Sequence, residues 1–381
     1  MMELKIRKSQ KGDLESLLLM FAQSRSEMRS AGNSRQWVDG YPQRELVMED
    51  IAMGRSYVVT AGGEPVGTFV MQLGEEPTYR HIYRGHWIDA SLDYVTLHRM
   101  ARRGDVHGIA SAAIAWSRSQ SSCVRMDTHE DNHIMRHIAR QHDFVYCGMI
   151  QLHDGSWRRA YQHIDYPQVN PSLRSHIERC VLSCYDRYER GHDRQHILAV
   201  IGQSMALARH YAVDAEMVYV VAAYHDIGIA EGRALHHLTS ARRLREDAVL
   251  STWFDANQIA VMAEAVEDHR ASSSHAPRSL YGRIVAEADR DIDSEKILVR
   301  TIQYGRAHYP QLDSEEQWQR FRIHLQEKYG VGGYVQLWLP ESGNAERLES
   351  LRELISDESR LREAYERLQR PEEQSGADDE A

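Results

Sequence analysis

Along the first 160 residues the spacing of apolar positions changes repeatedly. Residues 4–7 alternate as a short strand does, and 12–30 carry apolar side chains at helical spacing. Residues 56–60 and 66–71 are rich in Val, Thr and aromatic side chains. They flank the turn Ala61-Gly62-Gly63-Glu64-Pro65, which predicts a β-hairpin. Further strands are expected at 93–101, 123–127 and 144–152, with helices at 108–119 and 132–141. After a connector containing Pro167 and Pro171 the spacing becomes helical almost without a break. Helices are expected at 171–189, 194–211, 214–227, 235–247, 253–268, 278–289, 294–309, 314–329 and 345–369. The pattern predicts a mixed α/β domain over 1–160 and an all-α domain over 161–370.

Length and charge agree with two domains. At roughly 100–200 residues per domain, 381 residues suffice for two cores. Residues 1–160 hold 20 Lys+Arg and 19 Asp+Glu, whereas residues 161–381 hold 26 and 37. Part of that acidity lies in residues 371–381 (PEEQSGADDEA), whose composition is that of a disordered acidic tail. An acidic body argues against nucleic-acid binding, which relies on neutralising phosphates. No stretch approaches the roughly 18–20 apolar residues of a membrane span. The start has no apolar signal-peptide core, and Cys123, Cys147, Cys180 and Cys184 form no CxxC or disulfide framework, so a cytoplasmic location is expected. Oligomeric state is left open.

The first chemical candidate joins a strand to a helix: Arg102-Arg103-Gly104-Asp105-Val106-His107-Gly108-Ile109-Ala110-Ser111. Small residues at 108 and 110 would let a phosphate approach the free N–H groups of a first helical turn. The order VTLHRMARRGDVHGIASAAIAW, then VRMDTHEDNHIMRHIARQHDF, resembles the GNAT acetyltransferase family over roughly residues 3–155. That resemblance implies a mixed central sheet with flanking helices that binds acetyl-CoA. Met100 and Ala101 would hold the pantetheine arm through backbone bonds. Arg103 and the run Asp105, Val106, His107, Gly108, Ile109, Ala110 and Ser111 would cradle the pyrophosphate, and Asn132 would sit near the thioester sulfur. Asp105 departs from the family's Arg or Gln, with Arg102 and Arg103 close by to compensate. Ala139 stands where the family often has a Tyr that protonates the leaving thiolate, which leaves Tyr146 as a substitute by proximity. His98 is the candidate base for an amine acceptor; a packed strand histidine is the plain alternative.

The second candidate lies on the segment Met217-Val218-Tyr219-Val220-Val221-Ala222-Ala223-Tyr224, apolar all round and therefore buried, which ends in His225-Asp226. A buried carboxylate must be paired or bind a metal. Further ligand-type residues are His196, His236, His237, Glu267-Asp268-His269-Arg270 and Ala288-Asp289-Arg290-Asp291. Their long spacing suits ligands converging from separate helices of a bundle. Mixed His and carboxylate donors suit Mn²⁺, Fe²⁺, Mg²⁺ or Zn²⁺.

The order His, His-Asp, distant Asp resembles the HD-domain metal-dependent phosphohydrolases over roughly residues 170–310. The resemblance implies that His196, His225, Asp226 and Asp289 ligate one metal, with Asp226 also a candidate for orienting the attacking water, a role the Asp291/Asp293 pair could share. His236 and His269 would serve a second metal or a substrate phosphate. Arg270 and Arg290 are candidate phosphate contacts, and His192 reads as a surface residue. Together the resemblances imply a bifunctional enzyme acting on small molecules: an acetyltransferase with an amine-type acceptor, joined to a hydrolase of a nucleotide or small phosphometabolite. The alternatives are an acyl-CoA-binding sensor regulating an HD hydrolase, or a non-enzymatic helical interaction module with a dead metal site.

Overall fold

The computed structural model describes residues 3–38, 40–104, 106–188, 192–271, 273 and 275–369; Asp105 and the tail 371–381 lie outside these residues. The chain divides into two compact units, Met1–Pro167 and Gln168–Ala381. No helix among the described residues is long and apolar enough to cross a membrane.

In the first unit, β1 (Leu4–Lys8), α1 (Leu14–Ser30), α2 (Arg44–Ala52), β2 (Ser56–Ala61), β3 (Glu64–Leu73), β4 (Val95–Arg102), α3 (Ile109–Gln120), β5 (Cys123–Thr128), α4 (His133–Gln141), β6 (Val145–Gln151) and β7 (Trp157–Ile164) build one sheet with helices on both faces. The strand order is β1-β2-β3-β4-β5-β7-β6. Alternation sorts the side chains: Val58 faces Leu17, Met20, Phe21 and Val47, while Val59, Phe69, Leu97 and Met126 face Ile109, Ile114 and Ala139. Gly67 permits the closest of these approaches, since a Cβ there would stand 2.4 Å from Ile109 Cγ2.

The parallel pair β4–β5 positions the site. It is held only at Val95↔Val124, Thr96↔Arg125 and Leu97↔Met126, and beyond these the two strands run on without pairing. On its other side β4 bulges, with Arg99 at φ 47 between the pairs Val70↔His98 and Thr68↔Ala101. The strands therefore part after Leu97 and Met126, and His98 on β4 and Asp127 on β5 stand side by side at the base of the cleft this leaves.

Two elements of this unit lie outside the expected pattern. Helix α2 buries only Val47 and Asp50, too little for a visible apolar stripe. Strand β7 turns Arg158, Gln162 and His163 inward, which breaks apolar alternation, and it runs across residue 160, where the first domain was expected to end.

The second unit is helical: α5 (Pro171–His176), α6 (Arg194–Ala208), α7 (Ala215–Tyr224), α8 (His236–Glu246), α9 (Ala256–Asp268), α10 (Leu280–Ala288), α11 (Ser294–His308), α12 (Ser314–Tyr329), α13 (Asn344–Ser356) and α14 (Glu358–Gln369). The helix expected over 171–189 changes its winding after His176, passing through a π turn and then a 3₁₀ turn ending at Arg187. There the Tyr185 and Tyr188 hydroxyls donate to the carbonyls of Ala223 and Ile227. The helix expected over 345–369 is two helices, because the Asp357 side chain accepts from Arg360 N and starts α14 afresh. Helix α7 is buried from Met217 to Tyr224, as its all-apolar surface requires. A separate core of Ile297, Trp318, Phe321, Leu351 and Leu361 holds α11–α14 together.

Candidate functional site

Helix ends assemble the histidine–aspartate cluster. His225, His269 and Asp289 are the C-caps of α7, α9 and α10, so three negative dipole ends converge on one spot. His236 opens α8, and His196 lies in the first turn of α6, where the Asp193 side chain caps the His196 amide at 3.0 Å. Such a concentration of negative potential suits a cation.

Asp226 is the hub. Its Oδ2 lies 3.5 Å from His225 Nε2 and 3.8 Å from His196 Nε2, while Oδ1 lies 3.3 Å from His236 Nε2 and 3.4 Å from His269 Nε2. Asp289 Oδ1 closes the first group, 3.1 Å from His196 Nε2 and 3.7 Å from His225 Nε2. Ligand bonds of about 2.1 Å would give donor–donor edges of about 3.0 Å in octahedral and about 3.4 Å in tetrahedral geometry. Both groups have edges of that size, and they share Asp226.

The rings are oriented from behind. His225 Nδ1 donates to Ala222 O (2.8 Å), His269 Nδ1 to Val266 O (2.6 Å) and His236 Nδ1 to Arg233 O (2.8 Å). A carbonyl can only accept, so each ring presents Nε2 to the cluster. His225 Nε2 is buried with no hydrogen-bond partner, an orphan that a metal ion would satisfy. Burial pushes the His225 pKa down to about 4, against the pull of Asp226 and Asp289, and keeps the ring neutral. Burial also works against protonation of His196 and His269, but Asp289 and Asp226 outweigh it and raise both. The residues present fit a pair of divalent ions.

Several expected roles are corrected by these contacts. His192 is not a free surface residue: its Nδ1 lies 2.5 Å from Asp226 Oδ2. Arg290 is buried and donates to the Ala286 carbonyl. Asp291 pairs with Lys296 through Oδ2 at 3.1 Å, and Asp293 is engaged as the cap of α11 through Lys296 N. Arg270, by contrast, keeps its expected place near the cluster: it donates to Ala234 O, two residues before His236, and forms no ion pair among the described residues.

In the first unit the loop before α3 is open at the helix start. Gly108, at φ 83, is the N-cap of α3, with no side chain capping that end. Arg102 wraps the loop from behind, donating to Gly104 O and Val106 O and pairing with Glu27. Val106 and Ile109 are buried in the core and offer backbone only, whereas His107 and Gly108 are exposed and Ala110 half-buried. Ser111 Oγ lies 2.8 Å from His142 Nε2, and Arg103 is exposed beside the loop. Met100 and Ala101 sit on β4 past the bulge, where its β5 side has no strand partner.

At the cleft, His98 has Nε2 3.4 Å from Glu76 Oε2 and Nδ1 3.6 Å from Asp127 Oδ1, and Tyr79 Oη donates to that same Asp127 oxygen at 2.7 Å. The His98 hydrogen bond and charge hold the Glu76 carboxyl below its ordinary range despite burial. Glu76, Tyr79 and Asp127 escaped the sequence reading because nothing local marks them. Two expected residues are not free at the cleft. Asn132 spends Oδ1 on Met135 N and Nδ2 on Gln36 Oε1. Tyr146 pairs with Tyr161 and Tyr161 with Met126, so β7 separates Tyr146 from β5 and from His98.

The HD domain family model matches residues 194–291. Among solved structures, a GNAT family acetyltransferase from Streptococcus agalactiae is 30% identical, covering 43% of this chain and 96% of its own at a TM-score of 0.40. A GNAT family acetyltransferase from Listeria monocytogenes is 16% identical, with shares of 43% and 96% and a TM-score of 0.35. A predicted HD superfamily hydrolase from an uncultured Thermotogales bacterium is 22% identical, with shares of 41% and 88% and a TM-score of 0.29. No curated protein matches the chain. Residues 194–291 are an HD domain, and the unit ahead of it is a GNAT-like mixed sheet with flanking helices.

Proposed function

We propose that the HD domain hydrolyses a phosphoester of a nucleotide or small phosphometabolite, using one divalent ion held by His196, His225, Asp226 and Asp289 and a second held by Asp226, His236 and His269. The observation that carries this reading is the shared Asp226, whose two oxygens each face a separate donor group at metal-ligand spacing. Divalent ions there would lower the pKa of a bound water and neutralise charge growing on phosphoryl oxygens. The chain supplies the rest. Backbone carbonyls behind His225, His236 and His269 fix each ring's Nε2 toward the centre. His192 donates to Asp226 and limits rotation of that carboxylate. In the hydrolysis the water oxygen bonds to phosphorus, the ester P–O bond breaks, and an alcohol and phosphate are released. Elemental analysis of the purified protein, paired with phosphate release from a panel of phosphoesters, tests it; stoichiometric absence of metal would dispose of it.

For the first unit we propose acetyl transfer from acetyl-CoA to an amine-type acceptor, with the open end of α3 receiving the pyrophosphate and His98 as the base. A second reading, an acyl-CoA-binding sensor that regulates the hydrolase, is favoured by the committed side chain of Asn132 and by Ala139, fully buried where the family often carries the Tyr that protonates the leaving thiolate. Calorimetry with acetyl-CoA followed by free-CoA release across an amine panel separates the two. Binding with turnover supports transfer, and binding without turnover supports the sensor.

A further inference from the structure

Between residues 233 and 278 the arginines fall into two groups. Four are saturated by acids: Arg242 and Arg243 pair with Glu231, Arg245 with Glu267, and Arg278 with Glu267 and Asp268. The other two are not. Arg233 donates Nη2 to His192 Nε2 at 3.0 Å, and Arg270 donates Nη1 to Ala234 O at 2.7 Å; neither forms an ion pair among the described residues. The two guanidinium groups bracket the Arg233-Ala234 segment that leads into His236.

His192 ties Arg233 to the centre. Its Nδ1 donates to Asp226, so its Nε2 carries the lone pair that accepts from Arg233. The His192 ring thus holds an exposed guanidinium one ring away from the shared Asp226 carboxylate. Beside Arg270, His237 keeps its Nδ1 buried without a partner. Guanidinium groups without carboxylates are suited to forked recognition of phosphate oxygens.

We infer that Arg233 and Arg270 form a second phosphate subsite beside the metal centre, so that the substrate carries at least one phosphate beyond the one released. This rests on the phosphohydrolase reading above. Charge supplies the reason: two divalent ions and the buried Arg290 against Asp226 and Asp289 leave roughly three positive charges, of which one phosphate monoester dianion balances two before either exposed arginine is counted. The two arginines are then surplus for a monophosphate and matched to a diphosphate or longer phosphate chain.

The test uses manganese-loaded protein freed of unbound metal, titrated calorimetrically with inorganic pyrophosphate and separately with inorganic phosphate. Retained manganese is measured after each titration. Pyrophosphate should bind about tenfold or more tighter than phosphate. Arg233→Gln and Arg270→Gln should each weaken pyrophosphate by about tenfold while changing phosphate by less than about threefold, at unchanged melting temperature and manganese content. Equal weakening of both ligands, or no effect of either substitution, overturns the subsite and leaves the hydrolase reading intact. Failure to bind manganese overturns both.

Discussion

The Nε2 atoms of His236 and His269 stand 3.1 Å apart, while each ring gives its Nδ1 hydrogen to a carbonyl three residues earlier in the chain. Without an ion, one ring must hold a second proton to bond the other. Asp226 favours that proton on His269, and Asp289 does the same for His196, against the opposing effect of burial. Metal uptake must therefore expel protons from these raised groups, whereas His225, held near 4 by burial, is already neutral and releases none at neutral pH. Metal affinity should rise with pH until the raised groups have titrated. Calorimetry of manganese binding in two buffers of different ionisation enthalpy should show net proton release at pH 6.5; a buffer-independent enthalpy would contradict this.

His225→Ala removes the donor that has no alternative partner. Metal content should fall by one equivalent, measured by elemental analysis, with a stability loss of about 2–4 kcal/mol for emptying a fully buried position. Unchanged metal content would mean that His225 is not a ligand.

Asp165 accepts from Arg118 at 2.6 and 2.9 Å and faces His163 at 3.4 Å. Burial alone would raise its pKa, but His163 and Arg118 hold it well below the ordinary carboxylate range. A depressed carboxyl contributes stability that is full above about pH 4 and is lost as pH falls through the lower folded-state value. Asp165→Asn should therefore cost about 2 kcal/mol at pH 7, and the gap from wild type should shrink as acid is added below pH 4. Urea unfolding at pH 7, 4 and 2.5 checks this; a gap that stays constant with pH would refute it.

Gly108 combines a left-handed backbone with the open end of α3. Gly108→Val introduces strain of about 1–2 kcal/mol and a side chain where the pyrophosphate would approach. Acetyl-CoA affinity by calorimetry should fall about tenfold or more, with the HD domain's metal content unchanged; an unaltered affinity would move the cofactor away from this loop.

His98→Ala tests the cleft. Acetyl-CoA binding should persist within about threefold while transfer to an amine falls by about a hundredfold or more, the range for losing a general base. Loss of binding in step with turnover would mark His98 as packing.

The surface of 217–224 is apolar all round, so its burial, and the exceptional position of His225-Asp226 at its end, follow from composition alone. The hairpin at β2–β3 and the Gly108 helix start are likewise local, set by turn residues and period. Strand β7 and helix α2 were illegible because their inward residues include Arg158, Gln162, His163 and Asp50, which only partners elsewhere in the fold can satisfy.

The division has one physical cause. Hydrophobic period and turn chemistry act over a few residues, so sequence determines which segments are helices or strands, which are buried, and which polar residues a buried segment must carry. Which polar groups meet depends on where helix ends and strand edges converge. Asp226 finds His192 34 residues before it and His269 43 residues after it, and Asp127 meets His98 only because β4 and β5 separate after Leu97 and Met126. Tertiary structure alone decided that His192 belongs to the centre, that Arg233 stands at its rim, and that Tyr146 lies two strands from β5.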